Sequence, residues 1–269
     1  MRLLEAKPGG GFSLTKFVSN AIPSYAILSH TWEADDQEVT LKDIENSLGN
    51  AKNGYRKIEF CAEQATKDGL RYFWVDSCCI DKSNSTELQE AINSMFRWYR
   101  NAAKCYVYLS DVSIGQQSWS LEPPWEAEFK QSRWFTRGWT LQELLAPRIV
   151  EFFSKESKQL GDKNSLEKQI QEATGIDIRA LQGNLSQFSH DERNLWAAHR
   201  KTTVEEDQVY CMLGIHGVFL PLIYGEGRQH AFRRLEDEIE RRSKSKMQAQ
   251  CRLSRLFPGR LSNLSSGME

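Results

Sequence analysis

The clearest indication of a fold comes from Tyr72-Phe-Trp-Val-Asp-Ser-Cys-Cys-Ile-Asp81, where an aromatic and β-branched run ends in polar residues. Such a short apolar run predicts a buried strand. Apolar residues recur at helical spacing before this strand, over residues 52–68, where Gly69 would end the helix. They do so again after the strand, over residues 86–103. A strand between two helices is the repeating unit of a sheet whose parallel strands are joined by helical crossovers.

Three further apolar runs extend the same alternation along the chain. They cover residues 25–29, 105–109 and 149–153. Strands that alternate with helices predict an α/β fold, in which a mainly parallel sheet is flanked by helices. We assign this core to residues 1–153. The next segment, residues 154–240, is polar with helical spacing and few strand signals, which predicts a largely helical C-terminal extension.

Charge is distributed unevenly along the 269 residues, although the formal net charge is only −1. Residues 241–269 carry seven lysines and arginines against one glutamate and are rich in serine, which predicts a flexible basic tail or linker. Residues 1–240 are therefore acidic. This argues against nucleic acid as a partner, despite aromatic–basic stretches at residues 97–100 and 133–139. No run is long and apolar enough to predict a transmembrane segment.

The six cysteines form no CxxC pair, and no histidine lies at metal-ligand spacing from any of them. Their positions are Cys61, Cys78, Cys79, Cys105, Cys211 and Cys251. The simplest interpretation is that they are buried, strand-borne, reduced thiols of a cytoplasmic protein that binds no metal. A structural zinc site is the alternative that the sequence leaves open.

Polar side chains stand where the predicted strands end. Ser29, His30 and Trp32 lie at or after the end of one strand, and Asp76 lies at the end of another. Ligands of parallel α/β sheets bind beyond the carboxyl ends of the strands, so we expect a site here. The pattern alone leaves a second interpretation open, in which these residues are polar because strand ends reach solvent.

The densest group of chemically useful side chains lies between residues 132 and 147. If residues 139–145 are helical, Trp139 and Glu143 share one face. A carboxylate beside an indole in a dry cleft can stabilise the oxocarbenium-like transition state of glycosidic-bond cleavage, and an arginine such as Arg133 could hold a phosphate. The alternative is a core helix in which the glutamate is paired with an arginine.

Three blocks of the sequence resemble, in order and spacing, those of the fungal heterokaryon-incompatibility (HET) domain family. They are Tyr25-Ala-Ile-Leu-Ser-His-Thr-Trp32, Trp74-Val-Asp-Ser-Cys-Cys-Ile-Asp81 and Ser132-Arg-Trp-Phe-Thr-Arg-Gly-Trp-Thr-Leu-Gln-Glu-Leu-Leu-Ala-Pro147. Further similarity lies in Arg200-Lys-Thr-Thr, in Glu206-Asp-Gln-Val-Tyr-Cys-Met-Leu-Gly214 and in Pro221-Leu-Ile-Tyr-Gly-Glu-Gly227. The resemblance extends over roughly residues 1–240.

The HET resemblance implies a cytoplasmic protein of non-self recognition that triggers programmed cell death in incompatible fungal fusions. Many HET proteins carry this domain ahead of a nucleotide-binding oligomerisation domain and WD repeats. The sequence holds no GxxxxGK[ST] phosphate-binding loop, so we expect the effector domain alone or a fragment of a longer receptor. A homo-oligomer is the expected active form.

HET domains are in turn similar to TIR domains, which have a flavodoxin-like α/β fold and many of which cleave NAD at the nicotinamide–ribose bond. Trp139-Thr-Leu-Gln-Glu-Leu144 resembles the helix that carries the TIR glutamate. The resemblance implies that Glu143 is the catalytic carboxylate and that NAD or a related nucleotide is the substrate, with no separate cofactor. It also implies a substrate-binding set, which consists of Ser29, His30, Trp32, Asp76, Arg133, Trp134 and Trp139. A non-enzymatic module that signals by homotypic assembly is the alternative, since folding and interface contacts would account for the same motifs.

Overall fold

The computed structural model describes residues 1–18, 21–115 and 123–256, with side chains up to residue 245. Seven strands within this part form one mixed sheet. They are β1 (Arg2–Ala6), β2 (Phe12–Lys16), β3 (Tyr25–His30), β4 (Tyr72–Trp74), β5 (Lys104–Tyr108), β6 (Val150–Phe153) and β7 (Gln159–Asp162).

Four parallel strands form the centre of the sheet, in the order β4-β3-β5-β6. In chain order these four are second, first, third and fourth, which is how flavodoxin-like doubly wound sheets begin. Antiparallel neighbours extend both sides, with β1 between β4 and β2, and with β7 beside β6. The structure therefore confirms the expected α/β fold with a mainly parallel sheet flanked by helices.

Strands β1, β2 and β7, which all lie outside the parallel centre, were not predicted from the sequence. In β1 the adjacent Leu3 and Leu4 are both buried, so the strand lacks the alternation that would have identified it. The hairpin turn to β2 uses Gly10 and Gly11 at φ of 90° and 75°, a conformation that favours glycine. β7 is short and polar and is held by its pairing with β6, so its sequence resembled a loop.

Helices join the strands and make up most of the C-terminal part. The twelve α-helices in the described residues are α1 (Leu41–Glu45), α2 (Tyr55–Lys67), α3 (Asp76–Cys79), α4 (Ser85–Asn101), α5 (Glu126–Gln131), α6 (Thr140–Leu145), α7 (Glu167–Thr174), α8 (Ile178–Leu181), α9 (His190–Ala197), α10 (Asp207–Tyr210), α11 (Leu213–His216) and α12 (Arg228–Leu256). Short 3₁₀ helices lie at Gly49–Ala51, Arg133–Thr136 and Leu185–Gln187.

The chain reverses its direction across the sheet at β3. It moves from β3 to β4 on one side, and then back past β3 to β5 and β6 on the other. Because such crossovers are right-handed, α2 covers one face of the sheet while α4 and α6 cover the opposite face, where they contact each other. The carboxyl ends of β3 and β5 flank this reversal, which is where α/β sheets of this kind bind ligands.

The helical extension packs directly on the core. Gly214 in α11 lies so close to α4 that a Cβ there would be 2.0 Å from the Cβ of Phe96. α12 continues past residue 240 to Leu256, so the first part of the expected tail is helical. Residues 257–269 lie outside the described residues, and their flexibility stays a prediction.

The five cysteines with described side chains are buried and unpaired, while the Cys251 side chain lies outside the described part. Of these five, Cys105 lies on a strand, as predicted, whereas Cys61 lies on α2 and Cys211 directly follows α10. Cys78 and Cys79 lie on α3, because β4 ends at Trp74 and the chain turns into a helix at Asp76. Within the described residues there is no group of three or more metal-ligating side chains that could hold an ion. No helix in the same part is long and apolar enough to cross a membrane.

Candidate functional site

The Glu143 side chain lies against the end of β3, at the reversal of the sheet. The Ser29 hydroxyl donates to its carboxyl group, and the indole N–H of Trp134 donates to the Ser29 oxygen at 2.8 Å. Ser29 and Trp134 are completely buried, and Glu143 is 5% exposed. The candidate carboxyl group therefore belongs to a hydrogen-bonded chain inside the fold.

Burial raises the pKa of Glu143 to about 8, and the negative charge of Asp76 adds to this effect. Hydrogen bonds with Ser29 and Tyr99 and the positive charge of Arg200 act in the opposite direction. The Tyr99 hydroxyl donates its one proton to the backbone carbonyl of Leu28 at 3.0 Å, so its oxygen can accept a hydrogen bond from a neutral Glu143. The carboxyl group is therefore mostly protonated at neutral pH.

Asp76 is a second carboxyl group at the same end of the sheet, and it has the opposite charge state. It contacts the His30 Nε2 at 3.0 Å and accepts from the Trp32 indole N–H at 2.8 Å. Burial opposes its ionisation, but the hydrogen bond and the charge of His30, with Lys82, outweigh this and lower the pKa of Asp76 to about 2. Two neighbouring carboxyl groups with widely separated pKa values are typical of sites that carry out acid–base or charge-stabilising chemistry.

A cleft of about 410 Å³ opens beside the Asp76–Trp32 pair. Trp32 lines it and is 46% exposed, and the Lys82 ammonium nitrogen lies 3.5 Å from the centre of its indole ring. The residues that line the cleft include Ser77 but not Glu143. The Glu143 carboxyl group is thus not part of the cleft lining, and it is linked to the cleft through Asp76, whose charge acts on Glu143 and which binds the Trp32 indole N–H.

The structure links five of the sequence-derived site residues to Glu143. Hydrogen bonds connect Trp134 and Ser29 to the glutamate, while His30 and Trp32 are joined to Asp76, whose charge acts on Glu143.

The other two residues of that set point elsewhere. The Trp139 indole N–H donates to Asp207 at 3.2 Å, and the exposed Arg133 guanidinium lies 3.5 Å from an Asp111 oxygen. Neither contact involves the Glu143 carboxyl group.

Two buried cations from the C-terminal part, Arg200 and Lys163, bind backbone carbonyl groups at the two ends of the helix that carries Glu143. Neither role was predicted from the sequence. One Arg200 nitrogen donates to the backbone carbonyl of Arg137 at 3.0 Å and to the Thr140 hydroxyl at 2.9 Å. The Lys163 ammonium group donates to the carbonyl of Pro147 at 2.6 Å, beyond the other end of α6. Arg200 belongs to a sequence block already quoted, but only the three-dimensional contact shows what it does.

Comparisons with known proteins identify the family of this chain. The family model described as "Heterokaryon incompatibility protein (HET)" matches residues 25–118. "Vegetative incompatibility protein HET-E-1" of Podospora anserina is 57% identical over 241 residues, which cover 89% of this chain. The same alignment covers 18% of HET-E-1, so the chain spans under a fifth of that protein's length. No solved structure matches the chain significantly. The chain belongs to the heterokaryon incompatibility (HET) family.

Proposed function

We propose that this HET domain is a cytoplasmic cell-death effector of vegetative incompatibility, and that it hydrolyses NAD⁺ at the nicotinamide–ribose bond with Glu143 as the catalytic carboxylate. The first part is supported by the name of the similar protein from Podospora anserina. The second is supported by one observation above all: a buried glutamate with a pKa of about 8 at the sheet reversal, bonded to Ser29 and close to ionised Asp76. Buried, unpaired cysteines suit a reducing compartment.

The reaction requires stabilisation of positive charge. When the bond between ribose C1′ and the nicotinamide nitrogen breaks, its electron pair leaves with neutral nicotinamide and the ribose becomes oxocarbenium-like. Water then forms the new bond to C1′ and releases a proton, which gives ADP-ribose. An ionised Glu143 would stabilise the ribose cation, and the permanent charge of Asp76 would add to the negative potential.

The raised pKa of Glu143 suits a cationic substrate. In the free protein the carboxyl group is mostly neutral, because burial and Asp76 oppose its charge. A bound nicotinamide ring carries a positive charge, which lowers the pKa of a neighbouring carboxyl group. Substrate binding would therefore create the carboxylate where the developing cation needs it.

Access to Glu143 requires movement of the cleft wall, since the residue is 5% exposed. The loop between β3 and α1 carries half-exposed Trp32, which lines the cleft, and this loop has no regular structure. Displacing this loop would admit the ribose, and its return would exclude bulk water. Assembly of several copies, or a receptor domain in the same protein, would be the trigger for this change.

The proposal is tested by measuring nicotinamide release from NAD⁺ by the purified chain over a range of protein concentrations. We expect activity per molecule to rise with concentration and Glu143→Gln to lower it at least about 100-fold, as loss of a transition-state charge does. Glu192→Gln is the matched control, because Glu192 caps α9 and glutamine keeps that capping interaction. Equal activity of Glu143→Gln and the parent would refute the assignment.

The burial of Glu143 and Trp134 favours a second candidate, a non-enzymatic module that kills through assembly with partners. In that case the hydrogen-bonded chain from Trp134 to Glu143 serves the core alone. Toxicity in fungal cells that survives Glu143→Gln, but is lost when a surface contact between copies is broken, would support this second candidate over NAD⁺ cleavage.

A further inference from the structure

The cleft beside Asp76, which we call the Trp32 cleft, has the size of a small-ligand site. Its volume of about 410 Å³ is within the range of such pockets. The indole of Trp32 forms one wall, and Leu41 and Ile80 contribute apolar side chains. A flat ring could therefore stack on the tryptophan between apolar neighbours.

The indole face of Trp32 already accepts a positive charge. The ammonium group of Lys82 lies 3.5 Å from its centre, a cation–π contact at short range. The indole N–H donates to Asp76, which is ionised, and this hydrogen bond polarises the ring further.

Acidic side chains also line the Trp32 cleft. They are Asp35, Glu38, Glu45 and Asp81, of which Glu38 is already paired with Lys57. The cations on the lining are Lys42, Lys82 and Arg2, of which Arg2 is already paired with Glu87 and Lys82 is on the indole. The surroundings of the ring therefore favour a bound cation over an anion.

An unpartnered hydroxyl provides a separate indication of a ligand. Ser77 lines the cleft and is 4% exposed, and its Oγ has no hydrogen-bond partner among the described residues. A buried hydroxyl without a partner is unfavourable, which makes a bound polar group at this position favourable. As a donor, Ser77 suits a carbonyl oxygen.

We infer that the Trp32 cleft binds a planar aromatic cation that carries a carboxamide, which is the nicotinamide end of NAD⁺. The ring takes the place of the Lys82 ammonium group on the indole, and the Ser77 hydroxyl donates to the carboxamide oxygen. This inference rests on the proposed function and identifies the residues that recognise its substrate. It also accounts for product release, because cleavage turns the cation into a neutral ring and removes the attraction to the indole.

The test uses small rings and no turnover. The Trp32 indole N–H resonance, identified by its absence in Trp32→Phe, is followed by NMR while the protein is titrated with 1-methylnicotinamide, a cation, or with neutral nicotinamide. We expect the cation to bind about fivefold more tightly than the neutral ring, in line with the strength of cation–π contacts. Trp32→Leu, whose binding is measured by calorimetry because the resonance is lost, should abolish the difference. Phe219→Leu is the matched control, because Phe219 is another exposed aromatic with a cation, Arg242, over its ring.

Two further variants separate the parts of the inference. Lys82→Met removes the ammonium group from the indole face, so 1-methylnicotinamide should bind several-fold more tightly. If the cleft instead binds phosphate groups, the parent should bind inorganic phosphate and Lys82→Met should not. Ser77→Ala should weaken the binding of 1-methylnicotinamide but not that of N-methylpyridinium, which lacks the carboxamide. Since the buried Ser77 hydroxyl has no described partner, its removal should not lower the melting temperature.

The inference is overturned if 1-methylnicotinamide and nicotinamide bind equally tightly, if neither shifts the Trp32 resonance, or if Lys82→Met weakens the binding of 1-methylnicotinamide. Well below the pKa of Glu143, where the carboxyl group of the parent is neutral, Glu143→Gln should bind 1-methylnicotinamide like the parent. Binding in the cleft without NAD⁺ cleavage would therefore refute the proposed function alone, and cleavage without binding in the cleft would refute this inference alone.

Discussion

Glu143 and Asp76 illustrate how one fold holds two carboxyl groups in opposite charge states. Asp76 is surrounded by donors from His30 and Trp32, so it stays ionised despite its burial. Glu143 is buried and repelled by Asp76, and its one hydroxyl donor, Ser29, does not outweigh these effects, so it keeps its proton. The negative charge of Asp76 thus adds to the effect of burial on the pKa of Glu143.

The proton on Glu143 makes the stability of the protein depend on pH. The pKa of Glu143 is about 8 in the folded protein against an ordinary value of 4.5, so between these values the folded state binds a proton that the unfolded state lacks. This contribution to stability is complete below the lower value and is lost as pH rises towards the higher one, at about 1.4 kcal/mol per pH unit. Glu143→Gln should remove that slope, and denaturant unfolding at several pH values measures it.

The same experiment has a clear contrary outcome. Glutamine can still accept from Ser29, so Glu143→Gln should be more stable than the parent at about pH 8 and close to it near pH 4.5. A variant that is less stable than the parent at pH 8 would show that Glu143 is held as a carboxylate. Glu192→Gln, a change at an exposed helix cap, should keep the parental slope.

Helix α6 is only six residues long, and contacts from the extension hold both of its ends. The backbone of Lys201 pairs with Thr136 and Gly138 before the helix, Arg200 binds the carbonyl of Arg137, and Lys163 binds the carbonyl of Pro147 after it. So short a helix has little stability of its own, and its position depends on these contacts. The extension therefore fixes where Glu143 lies.

Replacing Arg200 should loosen this helix. Arg200→Gln removes the charged donor to the carbonyl groups of Arg137 and Trp196, and we expect a loss of about 2 kcal/mol and a fall of about 5 °C in melting temperature. It also removes a positive charge that lowers the pKa of Glu143, so the pH dependence of stability should extend to higher pH. Lys201→Gln is the control, because that side chain is exposed and its backbone pairing remains. A larger effect of Lys201→Gln would contradict this interpretation.

The sheet core and the helical extension should unfold as one unit. Gly214 packs against Phe96 of α4, and a Cβ there would meet the phenylalanine at 2.0 Å. Gly214→Ala should therefore cost about 2 kcal/mol and lower the melting temperature of the whole chain in a single transition. Gly9→Ala is the control, since a Cβ at Gly9 has open space around it. If helix signal is lost separately from the aromatic signal of the core, the two parts are independent.

The sequence predicted the parts of the molecule whose patterns are local. β3, β4, β5 and β6 are short apolar runs, and α2 and α4 repeat apolar residues at helical spacing, so all six were expected. β1 and β7 are stabilised by their neighbours in the sheet, and a pattern within five residues cannot show that.

The candidate site was only partly predictable, because its contacts join distant parts of the chain. Ser29 and Glu143 are 114 residues apart, and Arg200 and Thr140 are 60 apart. The strand ends indicated where Ser29, His30 and Asp76 would gather. Packing, which the sequence alone does not show, determines the burial of Glu143 and the position of a cation over Trp32. It also determines which side chains bind the ends of α6.

The most direct test of the account is the pH dependence of NAD⁺ cleavage by the free protein. Because kcat/KM reports ionisations of the free enzyme, nicotinamide release should rise with pH and reach half of its maximum near the pKa of Glu143, about 8. Glu143→Gln should show no such rise at any pH. A parental profile that is flat or falls through this range, or a rise that persists in Glu143→Gln, would contradict the claim that the ionised Glu143 carboxylate carries the reaction.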